Sequence, residues 1–298
     1  MKILLFGKGG QVGWELQRSL APLGELTCLD FDSQGFCGDF TNLPGLAATV
    51  DAVRPDVIVN AAAHTAVDKA ESEPQLAQTL NASAPGVLAQ AAEKAGAWMI
   101  HYSTDYVFDG SGTRPWTESD APAPLSVYGR TKLEGEQLVT RNCRRALVFR
   151  TSWVYAARGA NFAKTMLKLA AEREELKVVD DQVGAPTGAE LLADITAHAI
   201  RTAVFQPHLA GLYHVAAAGE VSWNGYARYV IEGARQRGVP LKANPDSVQR
   251  VPTSAFPTAA KRPANSRLDT SRFQAAFGLS LPPWQQGVSR MLTEILPT

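Results

Sequence analysis

The sequence predicts an α/β fold: a doubly wound parallel sheet, with a smaller part at the C-terminal end. Two observations predict it. Short apolar runs alternate with amphipathic stretches through the first half of the chain, and a glycine-rich turn, Gly7-Lys8-Gly9-Gly10-Gln11-Val12-Gly13, follows the first run directly. Strands separated by helices are joined by right-handed crossovers, which stack helices on both faces of a parallel sheet.

Residues 3–6 form a continuous apolar run, the pattern of a strand covered on both faces. A helix is predicted over 11–23, where Val12, Leu16 and Leu20 stand four apart on one face. Strands are predicted at 26–29, 57–59, 98–102 and 146–149, and a helix over 74–95. Past Arg150 the alternation loosens into a helix near 161–173, a strand at 176–179 and a helix over 188–204. Beyond Val239 come Pro240, Pro245, Pro252, Pro257, Pro263, Pro282 and Pro283, a density that suits ordered loops laid over a scaffold.

Composition narrows the function. The chain has 298 residues, with 29 Lys+Arg against 29 Asp+Glu and no basic run, so it lacks the charge footprint of a nucleic-acid binder. Hydrophobic residues make up 45% and charged residues 19%, which predicts a packed globule rather than disorder. No apolar run has the length of a bilayer span. The start runs into a strand without a signal-peptide pattern, and the three cysteines (Cys28, Cys37, Cys143) fit neither a disulfide framework nor a zinc site; the expectation is a cytoplasmic protein.

The glycine loop carries the first chemistry. Gly7 permits a tight turn, Gly10 lets backbone approach a pyrophosphate, and Gly13 allows close helix–strand contact. The following helix would offer free N–H groups and its positive dipole end to phosphates. Asp30, at the end of the second strand, is placed for ribose hydroxyls, which favours NADH, while Lys8 leaves NADPH open. Asp39 and Phe40 are candidates for the adenine end, or an ordinary loop after Gly38. A dinucleotide-binding, Rossmann-like domain at 1–150 follows, with a mainly substrate-binding part at 151–298 that returns some segments to the first core.

Tyr128 and Lys132 stand four apart in a helical stretch and so share a face. A tyrosine hydroxyl ionises near pH 10 and needs its phenolate stabilised before it can work near neutrality; a lysine ammonium could do that. The strand exit His101-Tyr102-Ser103-Thr104-Asp105-Tyr106 lies where parallel sheets build their sites, and either Ser103 or Thr104 could bind a substrate oxygen there. Trp153, past another strand end, suits either a ligand face or core packing. The remaining histidines, His101 among them, read as structural. Arg262 and Arg267 read as partners for a phosphate or as surface residues, and Asp181 and Gln182 as further ligand contacts.

The chain resembles the extended short-chain dehydrogenase/reductase superfamily, and within it the dTDP-4-dehydrorhamnose reductases. The resemblance covers essentially the whole chain. It rests on the glycine loop at 7–13, Asn60-Ala61-Ala62-Ala63-His64-Thr65-Ala66-Val67-Asp68, Ser103-Thr104-Asp105-Tyr106-Val107-Phe108 and Tyr128-Gly129-Arg130-Thr131-Lys132. Arg150-Thr151-Ser152-Trp153-Val154-Tyr155, Asp181-Gln182-Val183-Gly184-Ala185-Pro186-Thr187 and Arg262-Pro263-Ala264-Asn265-Ser266 add to it. The resemblance implies that Gly10, Gln11 and Val12 meet the pyrophosphate and that Asp30, Asp39 and Phe40 hold the adenosine end. It further implies that Ala63, His64, Thr65 and Tyr102 line the cofactor. Tyr128 would be the acid–base residue, Lys132 its partner and Thr104 its tuner, with Asp105 and Trp153 on the sugar.

The implied reaction reduces the 4-keto group of dTDP-4-dehydro-β-L-rhamnose with NADPH or NADH. Asp105 is followed by Tyr106 where a sugar-nucleotide dehydratase of this fold carries glutamate, which favours simple reduction. The resemblance also implies a homodimer with magnesium held by carboxylates, and Glu15, Glu190 and Glu294 occupy the matching stretches. Two other readings compete: a reductase or epimerase of another nucleotide sugar, and a non-catalytic nucleotide-binding regulatory subunit.

Overall fold

The computed structural model describes residues 1–297. Strands β1 (Lys2–Phe6), β2 (Glu25–Leu29), β3 (Val57–Asn60), β4 (Trp98–Thr104), β5 (Ala146–Thr151) and β6 (Gly211–His214) form a six-stranded sheet in the order β6-β5-β4-β3-β1-β2. Every pairing in it is parallel. The chain leaves β1 toward β2 on one side and returns to β3 on the other. The direction of winding therefore reverses between β1 and β3, and the crevice at that reversal is where such sheets bind ligands.

Four of the five residues of β1 are buried, and all of those in β3, β4 and β5, because helices cover both faces. On one face lie α1 (Gln11–Leu20) and, from the other end of the chain, the helix Ala189–Phe205, which pack together through Leu16, Leu20, Leu192 and Ile200. The opposite face carries α2 (Leu43–Val53), α3 (Ala84–Ala95) and α4 (Val127–Asn142), which close over Leu4, Ile58, Met99 and Val148. The second half builds its own core from Tyr155, Tyr226, Val230, Trp284 and Val288. Beside it Leu176–Val179 pairs with Val248–Val251.

The structure departs from the sequence expectations in three informative places. The helix over 11–23 is α-helical only to Leu20; Ala21–Leu23 tightens into a 3₁₀ turn at Pro22. The stretch 74–95 divides into Pro74–Gln78, a π-helical turn at Thr79–Ser83, and α3. Pro85, which has no N–H to give residue 81, follows that wide turn. The turn matters because it holds Asn81, completely buried, against the site. Strand β6 was not foreseen: Gly211-Leu212-Tyr213-His214 is short, opens on glycine and sits at an edge, so its pairing depends on a neighbour 64 residues away.

Candidate active site

At the exit of β1 the chain turns within a space that excludes side chains. Gly7 has φ +84°, and a Cβ there would lie 2.6 Å from the Ala62 nitrogen; one on Gly13 would lie 1.9 Å from the Gly7 carbonyl oxygen. Gly10 caps α1 without a side-chain hydrogen bond, so the first N–H groups of the helix stay free. Gln11 Oε1 is buried without a partner. The Asp30 carboxylate accepts the Gly9 N–H at 2.9 Å and the Phe31 N–H at 3.1 Å, which ties the loop to the end of β2. Free amides, an acidic residue at the ribose position and an unfilled buried acceptor fit a dinucleotide.

Several side chains of the predicted cofactor set face elsewhere. Phe40 is buried edge-on against Phe6, 5.6 Å between ring centres, so its ring serves the core and not an adenine face. Asp39 accepts from the Thr41 N–H and hydroxyl at 2.8 and 2.7 Å, closing the loop before α2. Tyr102 turns its hydroxyl away from the crevice onto Thr196, 2.5 Å away in the core, and what it offers the site is its main-chain oxygen. His64 donates its backbone N–H to Asn81 Oδ1 at 2.8 Å and sends its ring to Glu73 at 3.3 Å. Ala63 and Thr65 flank it, the first partly exposed and the second exposed.

The acid–base group is set by a helix start. Ser126 caps α4 through its hydroxyl, which accepts the Gly129 N–H at 3.1 Å, and Tyr128 falls in the first turn with Lys132 one turn later. Tyr106 packs edge-on against Tyr128, 5.5 Å between centres. Thr104, at the end of β4, donates to Asp105 Oδ1 at 3.1 Å and accepts the Tyr106 N–H at 3.2 Å. Burial pushes the Tyr128 hydroxyl up to about 12; its hydrogen bond with Thr104 pulls it down and the Asp105 charge pushes it up. Lys132 is not among those influences. Its buried ammonium reaches the Tyr102 carbonyl oxygen at 2.5 Å, and burial lowers it to about 8. The structure therefore keeps Tyr128 protonated, which suits a group that gives a proton. Burial also lifts Asp105 to about 6.

The second half covers this crevice. Trp153 has φ +49° and stacks on Trp223 at 3.6 Å with the rings 13° from parallel, so Trp223 occupies one of its faces. Arg262 grips Asp68 through two hydrogen bonds of 3.2 and 2.7 Å, and Arg267 pairs with Glu220. Asp181 accepts from the Thr253 N–H and hydroxyl, while Gln182 links Trp223 to Thr253. These side chains tie the covering segments together.

A family profile described as the RmlD substrate binding domain matches residues 1–296. The dTDP-4-dehydrorhamnose reductase of Escherichia coli (strain K12) is 62% identical over 298 residues, spanning 100% of this chain and 99% of that one. The chain belongs to the dTDP-4-dehydrorhamnose reductase family. It is an oxidoreductase that uses a nicotinamide dinucleotide. The crystal structure of a dTDP-4-dehydrorhamnose reductase from Clostridium acetobutylicum superposes with a TM-score of 0.88 at 36% identity, covering 99% of each chain. That of the Bacillus anthracis reductase, solved in complex with NADP, gives 0.86 at 35% identity and covers 98% of this chain and 99% of its own.

Within this family member the three glutamates named for a metal lie near one another without forming a cage. Glu190 is pushed up by burial and by the charges of Glu15, Glu294 and Asp194, but it pairs with Arg290 at 3.1 Å, and Arg18 reaches Glu15 at 3.6 Å. Among the described residues of one chain, no group of three or more His, Cys, Asp or Glu could hold a metal ion. No helix described is long and apolar enough to cross a membrane. The residue the sequence reading passed over is His101. Its imidazole, 1% exposed, lies 3.5 Å from Lys132 Nζ. Its alternate position in β4, pointing to the same sheet face as Ser103, was the available signal.

Proposed function

We propose that the protein reduces the C4 ketone of dTDP-4-dehydro-β-L-rhamnose to the alcohol of dTDP-β-L-rhamnose, taking NADPH or NADH, with Tyr128 as proton donor. The observation that carries this reading is the placement of Tyr128, half-buried in the first turn of α4 beside Thr104 at the end of β4, in a sheet whose first strand runs into a glycine loop shaped for pyrophosphate.

When bound, the dinucleotide supplies hydride to the ketone carbon. The chain does the rest. Thr104 and Tyr128 together would hold the ketone oxygen, and as that oxygen becomes an alkoxide the Tyr128 O–H bond breaks and its proton moves to the oxygen. Lys132 stands one turn along the same helix, its ammonium held on the Tyr102 carbonyl oxygen. Trp153, braced by Trp223, would present its remaining surface to the deoxysugar, and Asp105 lies next to the hydroxyl that orients the ketone. The acid-to-phenol order matches the direction of reaction, since a donor must hold its proton until hydride arrives.

The test is loss of nicotinamide absorbance with dTDP-4-dehydrorhamnose, run with NADPH and with NADH, and NMR of the product. Formation of dTDP-L-rhamnose with either cofactor is expected. Protein that binds cofactor yet leaves this ketone untouched would send the assignment to another nucleotide sugar.

A homodimer belongs to the same proposal. It is supported by Glu15, Glu190 and Glu294, close enough for the charges of the other two to act on Glu190, and by Trp14, 46% exposed on the helix that carries Glu15. Two copies meeting on this face would bring a second carboxylate set to the first and give magnesium ligands that one chain lacks. Sedimentation with and without EDTA reads both points: a two-chain mass that falls to one chain in EDTA is expected, and a single-chain mass in both would remove the dimer.

A further inference from the structure

A chain of three groups, the Ala62 N–H, Asn60 and His101, stands behind Lys132, and its order sets the direction of each hydrogen bond. The Ala62 N–H donates to Asn60 Oδ1 at 2.9 Å. Asn60 must then turn its amide nitrogen to His101 Nδ1, 3.1 Å away, and donate to it. A neutral imidazole holds one proton, so with Nδ1 accepting the proton sits on Nε2. That Nε2 faces Lys132 Nζ at 3.5 Å. The opposite tautomer would need Asn60 to swing its oxygen to His101 and its NH₂ against the Ala62 N–H, two donors 2.9 Å apart, whereas the assigned one sets the Nε2–H against the Lys132 ammonium at the longer 3.5 Å. Asn60 and His101 are each 1% exposed, so neither can exchange its partner for water.

We infer that Asn60 and His101 are positioning residues that present an N–H, rather than a lone pair, to Lys132, and so leave its ammonium one acceptor short and ready to release a proton toward the Tyr128 side of the site. The inference rests on the proton-donor reading of Tyr128 and adds the device that sets its partner. Lys132 keeps one protein acceptor, the Tyr102 carbonyl oxygen. Burial holds His101 far below its usual range, with the Lys132 charge adding to the effect, so the imidazole stays neutral.

The other charged groups around α4 do not take over this role. Glu136, one turn on, raises Lys132, but it is bound by Arg150 of β5 through bonds of 2.9 and 2.7 Å. Asp105 of the turn after β4 is engaged with Thr104, and Tyr106 of that turn packs on Tyr128. On the short helix Val67–Ser72, Asp68 is held by Arg262 and Glu71 accepts the Val127 N–H at 2.7 Å. From α3, Glu93 and Lys94 pair with Arg144 and Asp51. The Tyr102 hydroxyl is turned to Thr196.

Two measurements test this. The first is ¹⁵N NMR of the intact protein labelled in histidine, which reads the tautomer without turnover and so stands even if the substrate assignment fails. His101 should show a protonated Nε2 and a bare Nδ1 from pH 6 to pH 9; a proton on Nδ1, or an imidazolium in that range, overturns the inference. Substituting each of the other four histidines in turn assigns the signal by elimination, so the reading needs no His101 variant. The second is the pH profile of kcat in His101→Gln, whose side-chain oxygen can accept from the ammonium. The alkaline limb should move up by about one pH unit, giving roughly tenfold more of the plateau rate above both limbs, with KM within about twofold. A limb that stays in place, or moves down, overturns it.

Discussion

At the scale of single residues, the site depends on a phenol kept protonated. Burial and the Asp105 charge hold the Tyr128 proton on, and only the Thr104 hydroxyl eases it off. Tyr128→Phe removes the proton without removing the ring that packs on Tyr106. We expect kcat to fall about 10²- to 10⁴-fold, the usual reach of a positioned general acid. Cofactor affinity, read by fluorescence titration, should stay within about threefold. Loss of affinity together with rate would move Tyr128 from proton donation to cofactor binding. His101 teaches a different lesson at this scale. A lone histidine in an apolar strand reads as structural, and only the packing of β4 against α4 shows that its ring meets Lys132.

At the scale of elements, the glycine loop is the feature the sequence states most openly. Glycines at 7, 10 and 13 between a strand and a helix require backbone where side chains would stand, and the structure places Gly13 against the Gly7 carbonyl. Gly13→Ala should therefore push the loop off α1. The expected result is a loss of about 1–3 kcal/mol in stability by denaturant titration and at least a tenfold weaker cofactor affinity. The π turn at Thr79–Ser83 lay beyond reach, because its sequence suits an ordinary helix and its width is set by neighbours. Asn81 in that turn accepts from the His64 N–H on the cofactor side and donates to the Thr131 hydroxyl on α4. The segment Arg262–Ser266 was likewise visible as a motif but not as a clamp. Its hold on Asp68 is a contact across 194 residues.

At the scale of the whole molecule, two buried charged or titratable centres govern stability. Arg150 and Glu136 form a two-point ion pair with side chains 4% and 3% exposed, and Arg150 also lies over the Phe108 ring at 5.0 Å. Glu136→Ala leaves a buried guanidinium unpaired and should cost about 3–5 kcal/mol by urea unfolding. His214 is the second. Burial, then the Arg150 charge, lowers it to about 3, against 6.5 unfolded. Below pH 6.5 the unfolded chain takes up a proton that the folded chain refuses, so this histidine costs stability as pH falls. His214→Gln lacks that loss. The stability gap between parent and variant should narrow between pH 6.5 and pH 4 by about 1.4 kcal/mol per pH unit at most, read from urea midpoints. A gap independent of pH would mean that His214 is protonated in the fold.

The sequence by itself determined the alternation of strands and helices, the parallel sheet, the dinucleotide loop and the pairing of Tyr128 with Lys132 one turn apart. Each of these is local: a two- or four-residue period, a glycine that no side chain can replace, a helix cap at Ser126. Tertiary structure alone decided which way those side chains point and what they meet. It sent the rings of Phe40 and Tyr102 into the core, stacked Trp223 on Trp153, and gave β5 its edge partner from 64 residues away. It also set His101 behind Lys132 with its proton turned inward. The reason is that spacing along a chain fixes which residues share a face, whereas hydrogen-bond direction and desolvation depend on groups that only the packed fold brings within reach.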